Sequence, residues 1–279
     1  MRKIDVMFVP AEHFIAYQSS QLHYYTWGSG PRILFAFHGY GESADSFSFV
    51  GEALDPDHTL IAIDLPFHGR TEWREGLLFT PRQLYEIMKD IVARLNLPGT
   101  WGLIGYSMGG RIVLQLAENH PGSIDKLVLL APDGLKVNIW HWVATRTVAG
   151  NLLFRWTMRW PGWLFLLLRI SHTLRLVNQS IYKFAVHYID DRKARHDLYT
   201  RWTTLRKFRP RLRRLPGIIR HYQIPVSFVY GKYDRIIRWK KGEEFRDRRS
   251  GRSRMVLLDT GHQLLRPQFL PDLLPLFID

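Results

Sequence analysis

Gly105-Tyr106-Ser107-Met108-Gly109 is the stretch from which this sequence is best interpreted, because it fits a Gly-x-Ser-x-Gly turn between a strand and a helix. Residues 101–105 before it form a short, mostly apolar run, which predicts a buried strand. Residues 109–117 after it have a helical pattern. Such a turn holds its serine in a strained backbone conformation, and small flanking residues permit close packing. Ser107 is therefore expected at the carboxyl edge of a sheet, beside a helix N-terminus that favours negative charge.

Strand-like and helix-like segments alternate over most of the 279 residues. The first two predicted strands should form an antiparallel pair, and the others should be parallel strands covered on both faces. This alternation predicts an α/β fold with a doubly wound, mostly parallel, eight-stranded sheet. The predicted strands are 14–17, 22–27, 33–37, 60–63, 101–105, 127–130, 226–230 and 255–258.

Helix signals fill the connections between these strands. Thr80 followed by Pro81 is typical of an N-cap and first helical turn, and this helix should run to about residue 95. Other helices of the α/β part are predicted at 44–53, 109–119 and 239–248, and at the carboxyl terminus to about residue 277. Several further helices are predicted within 135–220, with breaks near Gly150, Pro161-Gly162 and Pro216-Gly217.

Basic residues are concentrated in one segment of the chain. The net charge is +14, and residues 135–220 hold 18 Lys/Arg against three acidic residues, so the remainder is nearly neutral. The same segment contains six of the ten tryptophans. The composition therefore predicts an α/β body at 1–134 and 221–279, interrupted by a basic, tryptophan-rich helical insertion at 135–220.

Two side chains after Ser107 are candidates to activate its hydroxyl. A serine becomes a good nucleophile when a base takes its proton, and a carboxylate that orients this base improves it. His262 follows the last predicted strand, and Asp234 lies four residues past the strand before it. The order Ser, Asp, His is the one found when such a triad is mounted on a sheet of this type. Asp133, which follows strand 127–130, is the alternative carboxylate.

Several motifs of this chain together resemble those of the α/β-hydrolase fold superfamily: His38-Gly39, residues 64–69, the turn around Ser107, residues 231–234 and Gly261-His262. The resemblance covers both parts of the body. It implies that Ser107 is the nucleophile, that His262 is the general base and then the acid, and that Asp234 orients His262. It also implies that residues 135–220 form a cap over the active site.

An acyl transition state also needs hydrogen-bond donors for its oxyanion. The expected donors are the backbone N–H of Met108, at the start of the helix, and that of Tyr40, in the loop after His38-Gly39. By the resemblance His38 holds this loop, and contact with substrate is its alternative role. Trp163 begins an apolar run that is a candidate lining for a substrate pocket. The histidines are too scattered to predict a metal site, and no cofactor is expected.

These features predict a serine hydrolase that cleaves a carboxylic ester through an acyl-serine intermediate. A lipid-like ester is the more specific form of this prediction. Serine at the turn disfavours epoxide and carbon–halogen hydrolysis, for which relatives carry aspartate there. The stretch from Gly105 to Arg111 is also similar to that of the menaquinone-pathway lyase that eliminates pyruvate, in which Arg111 would bind a substrate carboxylate. A carbon–carbon bond hydrolase and a non-catalytic binding protein are the further alternatives.

The basic insertion admits several partners. Its arginines would form a solvated surface without a partner, dock on an anionic membrane surface, or attract an acidic substrate. Nucleic acid is disfavoured, because no recognised module surrounds the basic run 206–214. A small acyl substrate is the expected partner, and the oligomeric state is not predicted.

The location of the protein is predicted from features that the sequence lacks. Residues 1–10 do not form a signal peptide, no run of 18 apolar residues occurs and the chain contains no cysteine. A cytoplasmic protein is therefore expected, peripheral to a membrane if the basic insertion docks there.

Overall fold

A computed structural model describes residues 9–97, 99–136, 139–174, 189–247 and 253–278, apart from the side chain of Trp140. Residues 1–8, on which the expected location partly depends, and residues 175–188 of the predicted insertion lie outside this description. The chain divides into two compact units. The first comprises Met1–Glu75, Thr80–Lys136 and Phe208–Asp279, and the second comprises Gly76–Phe79 and Val137–Lys207.

One eight-stranded sheet forms the centre of the first unit and confirms the predicted fold class. Its order is β1-β2-β4-β3-β5-β6-β7-β8; β2 pairs antiparallel with β1 and β4, and every other neighbouring pair is parallel. The strands are β1 (Ala11–Tyr17), β2 (Ser20–Trp27), β3 (Arg32–Phe37), β4 (His58–Ile63), β5 (Trp101–Tyr106), β6 (Ile124–Leu130), β7 (Val226–Gly231) and β8 (Ser253–Leu258).

The central strands are mostly apolar runs, as expected for parallel strands covered on both faces. Every residue of β4 and β5 is buried, and so is every residue of β3 except Arg32. Because parallel strands end at the same edge, the residues that follow them are brought near one another. At this edge lie His38 after β3, Asp64 after β4 and Ser107 after β5.

Helices connect the strands of the first unit and build most of the second. Among the described residues, no helix is both long enough and apolar enough to cross a bilayer. The helices of the first unit are α1 (Ser48–Gly51), α2 (Pro81–Arg94), α3 (Met108–Asn119), α8 (Leu215–His221), α9 (Lys240–Asp247) and α10 (Leu270–Ile278), and those of the second are α4 (Ile139–Arg146), α5 (Val148–Arg159), α6 (Gly162–Thr173) and α7 (Arg192–Thr204).

The start of α2 is the one that the sequence predicts. The Thr80 side chain accepts a hydrogen bond from the Gln83 backbone N–H, and Pro81 occupies the first turn. The break predicted near Gly150 lies at Thr147, after the end of α4 at Arg146, and Gly150 itself lies inside α5. That helix begins at Val148, and the Thr147 hydroxyl caps it by accepting the Gly150 N–H at 3.0 Å.

Residues 208–220, which the composition placed in the insertion, group with the first unit. The backbone N–H of Arg209 donates to the Gln115 side chain at 2.8 Å, and that of Arg211 donates to the Glu118 carboxylate at 2.8 Å. Both acceptors lie on α3. Part of the basic run is therefore fixed to the α/β sheet unit.

The second unit is held together by a seam between α5 and α7. The Phe154 ring lies 5.4 Å from that of Tyr199 and 5.8 Å from that of Trp202. Beside them, the Asn151 side chain donates to the Thr203 hydroxyl and accepts from the Tyr199 hydroxyl, both at 3.2 Å. One face of α5 is thus committed to packing within this unit.

Candidate active site

Ser107 occupies a tight turn between β5 and α3. Its φ of +49° and ψ of −110° are unusual for a residue with a side chain. The surrounding backbone fixes this conformation: the Ser107 N–H donates to the Leu130 carbonyl at 2.9 Å, and its carbonyl accepts from Gly110 at 3.0 Å and Asp133 at 2.8 Å. Such strained conformations cost about 1–3 kcal/mol and persist only where several contacts impose them.

Gly109 shows why the turn needs small residues. A Cβ atom at this position would lie 2.0 Å from the Phe37 carbonyl oxygen at the end of β3. The glycine therefore lets the first turn of α3 approach the backbone of the neighbouring strand. This close approach holds Ser107 beside the loop that follows β3.

His262 and Asp234 converge on Ser107 from the ends of two other strands. His262 follows β8, and its Nε2 lies 3.0 Å from the Ser107 Oγ. Asp234 follows β7, and its Oδ2 lies 2.7 Å from the His262 Nδ1. The hydroxyl, the imidazole and the carboxylate that the sequence singles out thus form one hydrogen-bonded chain.

The environment of Asp234 keeps its side chain ionised. Burial alone would raise the pKa of this carboxyl, but the hydrogen bond from His262 and the backbone N–H groups of Ile237 and Ile236 lower the pKa, and the net shift is downward. The two backbone groups donate to Oδ1 at 2.9 and 2.7 Å. The carboxylate can therefore accept a hydrogen bond from the N–H at Nδ1 of His262. The unprotonated Nε2 is then free to accept a hydrogen bond from the Ser107 hydroxyl.

Tyr106 supports the histidine and was not singled out from the sequence. Its hydroxyl donates to the His262 carbonyl at 3.0 Å, and the two rings lie 5.6 Å apart. Burial, followed by the negative charges of Glu42 and Asp234, raises the pKa of this tyrosine, which therefore stays protonated. Its place directly before Ser107 in the Gly-x-Ser-x-Gly pattern was the available signal.

Glu42 is a second residue that sequence reasoning missed. The Gly39 N–H donates to its Oε2 at 3.3 Å, within the loop after β3. Burial raises the pKa of Glu42, while the Gly39 N–H, attraction to His262 and the Ser46 hydroxyl lower it; the net shift is upward. Its distance from His38 in the sequence was the available signal. A carboxyl group only four residues past His38 is expected near the same edge of the sheet.

The expected oxyanion donors lie at a helix start and in a loop that hydrogen bonds hold in place. Met108 is the first residue of α3, and the first N–H groups of a helix have no partner within the helix. Tyr40 lies in the loop after β3, which continues to Ala44, and the Ala44 N–H donates to the Asp64 Oδ1 at 2.6 Å. Asp64 also bonds to His23 and to the Arg70 N–H at 2.7 Å each, so a buried network anchors this loop.

The His38 side chain has a backbone partner at each ring nitrogen. The residue is fully buried. The Leu65 N–H donates to its Nε2 at 3.1 Å, so its proton lies on Nδ1, which donates to the Gly39 carbonyl at 2.8 Å. These bonds favour support of the loop that carries Tyr40, and contact between the His38 side chain and substrate stays a prediction.

A family model described as alpha/beta hydrolase fold matches residues 32–265, which include all three members of the Ser107 chain. The protein belongs to the alpha/beta hydrolase fold family. Solved structures agree with this fold at low sequence identity. A putative lipase from Acinetobacter baumannii has a TM-score of 0.64 at 19% identity, covering 96% of this chain and 90% of its own. A thermophilic esterase from Thermogutta terrifontis has a TM-score of 0.63 at 17% identity, covering 95% and 94%.

Two curated relatives are more similar in sequence but over shorter spans. An esterase from Mycobacterium tuberculosis is 34% identical over 103 residues, which are 37% of this chain and 33% of the relative. A pimeloyl-[acyl-carrier protein] methyl ester esterase from Nitrosomonas europaea is 30% identical over 125 residues, which are 44% of this chain and 46% of the relative. The chain thus matches less than half of the length of either relative.

Asp133, Arg111 and Trp163, the other candidates of this hydrolase-fold chain, have partners within their own units. Asp133, the alternative carboxylate, lies with its Oδ2 3.6 Å from the Arg111 Nε, whereas the His262 Nδ1 bonds to Asp234. Trp163 belongs to α6 of the second unit, where its ring stacks on Trp156 at 6.0 Å. Contact of Arg111 or Trp163 with substrate stays a prediction.

Proposed function

We propose that this protein is a serine hydrolase that cleaves a carboxylic ester through an acyl-serine intermediate. The observation that carries the proposal is the continuous contact from the Ser107 Oγ through His262 to Asp234, with heavy-atom distances of 3.0 and 2.7 Å. Both distances lie within hydrogen-bond reach, as proton transfer between nucleophile and base requires.

Acylation begins when the His262 Nε2 accepts the Ser107 hydroxyl proton and the Ser107 Oγ attacks the ester carbonyl carbon. The buried, ionised Asp234 stabilises the imidazolium that forms and remains unprotonated itself. The tetrahedral intermediate then collapses as the imidazolium donates its proton to the departing alcohol oxygen. This step leaves the acyl group on Ser107 and returns His262 to its neutral form.

Backbone N–H groups stabilise the negative charge of the tetrahedral oxygen. The Met108 and Tyr40 N–H groups are the proposed donors, and a single donor of this kind is worth about 2.7–4 kcal/mol of transition-state stabilisation. The N-terminus of α3 adds a favourable dipole at the same place. His38 and Asp64 contribute indirectly, because they hold the loop that carries Tyr40.

Deacylation repeats these proton movements with water. His262 takes a proton from the attacking water, whose oxygen adds to the acyl carbon, and then returns the proton to the Ser107 Oγ as the carboxylic acid leaves. The products are an alcohol and a carboxylic acid. No group beyond the protein, the ester and water is needed to balance the reaction.

Esters are favoured over the other substrates of such a triad by the names of the relatives, of which one is an esterase and another a methyl ester esterase. The lyase alternative requires Arg111 to bind a substrate carboxylate. Its Nε already lies 3.6 Å from the Asp133 carboxylate, so a substrate would compete with an internal partner. Carboxylic esters are therefore favoured over acidic ring compounds. A lipid-like ester with an apolar acyl chain is the finer form of the proposal.

The test is labelling and turnover at Ser107. Wild-type protein should react with a fluorophosphonate probe and hydrolyse p-nitrophenyl esters, and a series of acyl lengths should reveal the preferred chain. Ser107→Ala should abolish labelling and reduce kcat/KM on the order of 10⁴-fold or more, because the nucleophile is removed. Ser48→Ala, a matched change on α1, should retain both activities. Full turnover by Ser107→Ala, or no labelling of the wild type, would overturn the proposal.

A further inference from the structure

Helix α5 has an outward face that is apolar where a surface helix is normally polar. Its inner residues Asn151 and Phe154 contact α7. Val148, Leu152 and Trp156, spaced by four residues, are exposed instead, with 59% of Leu152 and 51% of Trp156 accessible to water. This spacing places all three side chains along one stripe of the helix.

Helix α6 carries a second stripe of the same kind. Trp163, Leu166 and Ile170 are exposed at helical spacing, and 58% of Leu166 is accessible. The Trp156 ring of α5 stacks on the Trp163 ring of α6, with centroids 6.0 Å apart and planes 17° apart. The two stripes therefore meet, and these six residues form one surface, called here the α5–α6 surface.

Positive charge accompanies this apolar surface. Arg155 and Arg159 are exposed on α5, and Arg169 is exposed on α6. Each follows a residue of the surface by three positions (Leu152, Trp156 and Leu166), so each arginine lies beside an apolar neighbour on its helix. In sequence, residues 134–189 contain seven Lys/Arg and no Asp or Glu, so this segment supplies no carboxylate to neutralise them.

We propose that the α5–α6 surface docks on an anionic lipid bilayer. Val148, Leu152, Leu166 and Ile170 enter the boundary between headgroups and acyl chains, and Trp156 and Trp163 lie at the headgroup level. The arginines extend their apolar stems beside these residues and bring their guanidinium groups to lipid phosphates. This proposal concerns attachment alone and does not depend on ester hydrolysis.

A bilayer suits this surface better than a second copy of the chain. In a two-fold dimer the same surface is present on both sides, so arginines would face arginines with no carboxylate from this segment between them. Nucleic acid would satisfy the arginines but would leave the aliphatic stripes without an apolar partner. An anionic bilayer supplies both an apolar layer and negative charge.

The first test uses charge. The purified protein, with all 279 residues, is sedimented with vesicles of phosphatidylcholine alone or mixed with phosphatidylglycerol. Two salt concentrations are used, about 0.01 M and about 0.15 M, between which the Debye length falls from about 30 to about 8 Å. We expect binding to the phosphatidylglycerol vesicles, weaker at the higher salt. R155Q/R159Q should reduce partitioning about 25-fold, or about fivefold for each charge. R213Q/R220Q, a matched loss of two exposed charges in the first unit, should change partitioning by about twofold at most.

The second test uses the apolar stripes. L152S/L166S should reduce partitioning at least about tenfold, because two leucines that leave water on docking are replaced by small polar residues. The matched change F14S/Y222S replaces exposed aromatic residues of the first unit and should leave binding unchanged. Circular dichroism and the urea-unfolding midpoint of each variant verify that it is folded, and if L152S/L166S is not, the arginine variants decide the question.

Three results would overturn this docking surface. One is failure of the wild type to bind phosphatidylglycerol vesicles at low salt, and another is an equal loss of binding in the two arginine pairs. The third is a wild-type dimer that L152S/L166S converts to monomer without any vesicle binding, since a second copy would then cover the surface. Ser107→Ala should bind vesicles like the wild type, so loss of turnover and loss of docking are told apart.

Discussion

The backbone conformation of Ser107 fixes the position of its hydroxyl. Its positive φ turns the side chain out of the run of β5, and bonds to Leu130, Gly110 and Asp133 hold this geometry without help from the side chain. The hydroxyl is therefore placed before any substrate arrives. His262 and Asp234 are placed by the ends of other strands, so the site depends on the sheet more than on local sequence.

The carboxylate role can be assigned by comparing two aspartates. Asp234→Asn should lower kcat/KM for a p-nitrophenyl ester on the order of 10⁴-fold, because an amide cannot stabilise the imidazolium or fix its tautomer. Asp133→Asn should stay within about tenfold of the wild type, since Asp133 lies beside Arg111 rather than His262. Steady-state kinetics of both variants measure this, and a larger loss in Asp133→Asn would transfer the role to Asp133.

Two buried tyrosines should respond in opposite ways to loss of the hydroxyl. The Tyr106 hydroxyl donates to the His262 carbonyl, so Tyr106→Phe should cost about 1–3 kcal/mol of unfolding free energy and also slow turnover. The Tyr230 hydroxyl is buried and has no hydrogen-bond partner among the described residues. Tyr230→Phe should therefore be neutral or stabilising by about 1 kcal/mol.

Urea unfolding at neutral pH, with ester turnover alongside, measures both tyrosine variants. Equal destabilisation by Tyr106→Phe and Tyr230→Phe would contradict the expected contrast. A stable Tyr106→Phe protein with wild-type turnover would show that the bond to the His262 carbonyl does not position the histidine.

The sequence predicted which residues meet at the site but only part of what surrounds them. Ser107, Asp234 and His262 follow strand ends, and strand ends can be recognised from apolar runs. Glu42 and Tyr106 escaped notice because their importance comes from burial and from one contact each, to the Gly39 N–H and the His262 carbonyl. Such contacts depend on loop conformation, which a single sequence does not specify.

Among the helices, ends with side-chain caps were predicted well, whereas the packing role of a glycine within a helix was not. The start of α2 follows from Thr80 and Pro81, whose local chemistry decides it. The break near Gly150 was predicted, but it lies at Thr147, and Gly150 itself lies inside α5, where a Cβ would lie 2.2 Å from the Val143 carbonyl oxygen. The glycine permits α4 and α5 to approach closely, and this tertiary gain outweighs its low helix propensity of about 1 kcal/mol.

Gly109 gives a quantitative test of close approach between α3 and β3. Gly109→Ala should lower the unfolding free energy by about 3 kcal/mol, because the new methyl group would meet the Phe37 carbonyl oxygen. Gly217→Ala is the matched control within α8, where a Cβ would have nothing within 4 Å. It should be neutral or stabilising by about 0.5–1 kcal/mol. Denaturant melts measure both, and equal stability of the two variants would refute the steric argument.

At the scale of the whole molecule, the composition predicted two parts, and the structure has two compact units. The carboxyl-terminal boundary of the insertion could not be derived from charge, because the basic run continues across it. Arg209 and Arg211 belong to the first unit through backbone hydrogen bonds to the side chains of Gln115 and Glu118. Charge therefore marks this insertion only approximately, and specific bonds decide where it ends.

The buried Asp64 network should make global stability depend on pH in the acid range. Burial alone would raise the pKa of Asp64, but bonds from His23, Ala44 and Arg70 lower it, and the net shift is below the usual 3.8. Because the folded pKa lies below the unfolded one, the contribution of Asp64 is complete above about pH 3.8 and is lost as pH falls through the folded pKa.

Asp64→Asn should therefore cost about 3 kcal/mol of unfolding free energy at pH 7, and this difference from the wild type should shrink below pH 3.8. The exposed Asp90→Asn on α2 is the control and should follow the wild type at every pH. Urea unfolding between neutral and acid pH gives the comparison. A difference between Asp64→Asn and the wild type that is the same at both ends would contradict the linkage.

The second unit is assembled from two stretches of chain that are far apart in sequence. The Phe79 N–H donates to the Thr204 carbonyl at 3.0 Å, and the Arg206 guanidinium bonds to the Leu77 carbonyl. A gene exchange that transferred residues 137–207 alone would leave residues 76–79 without their native hydrogen-bond partners. The second unit can therefore be exchanged between proteins as an intact unit only if both stretches are transferred.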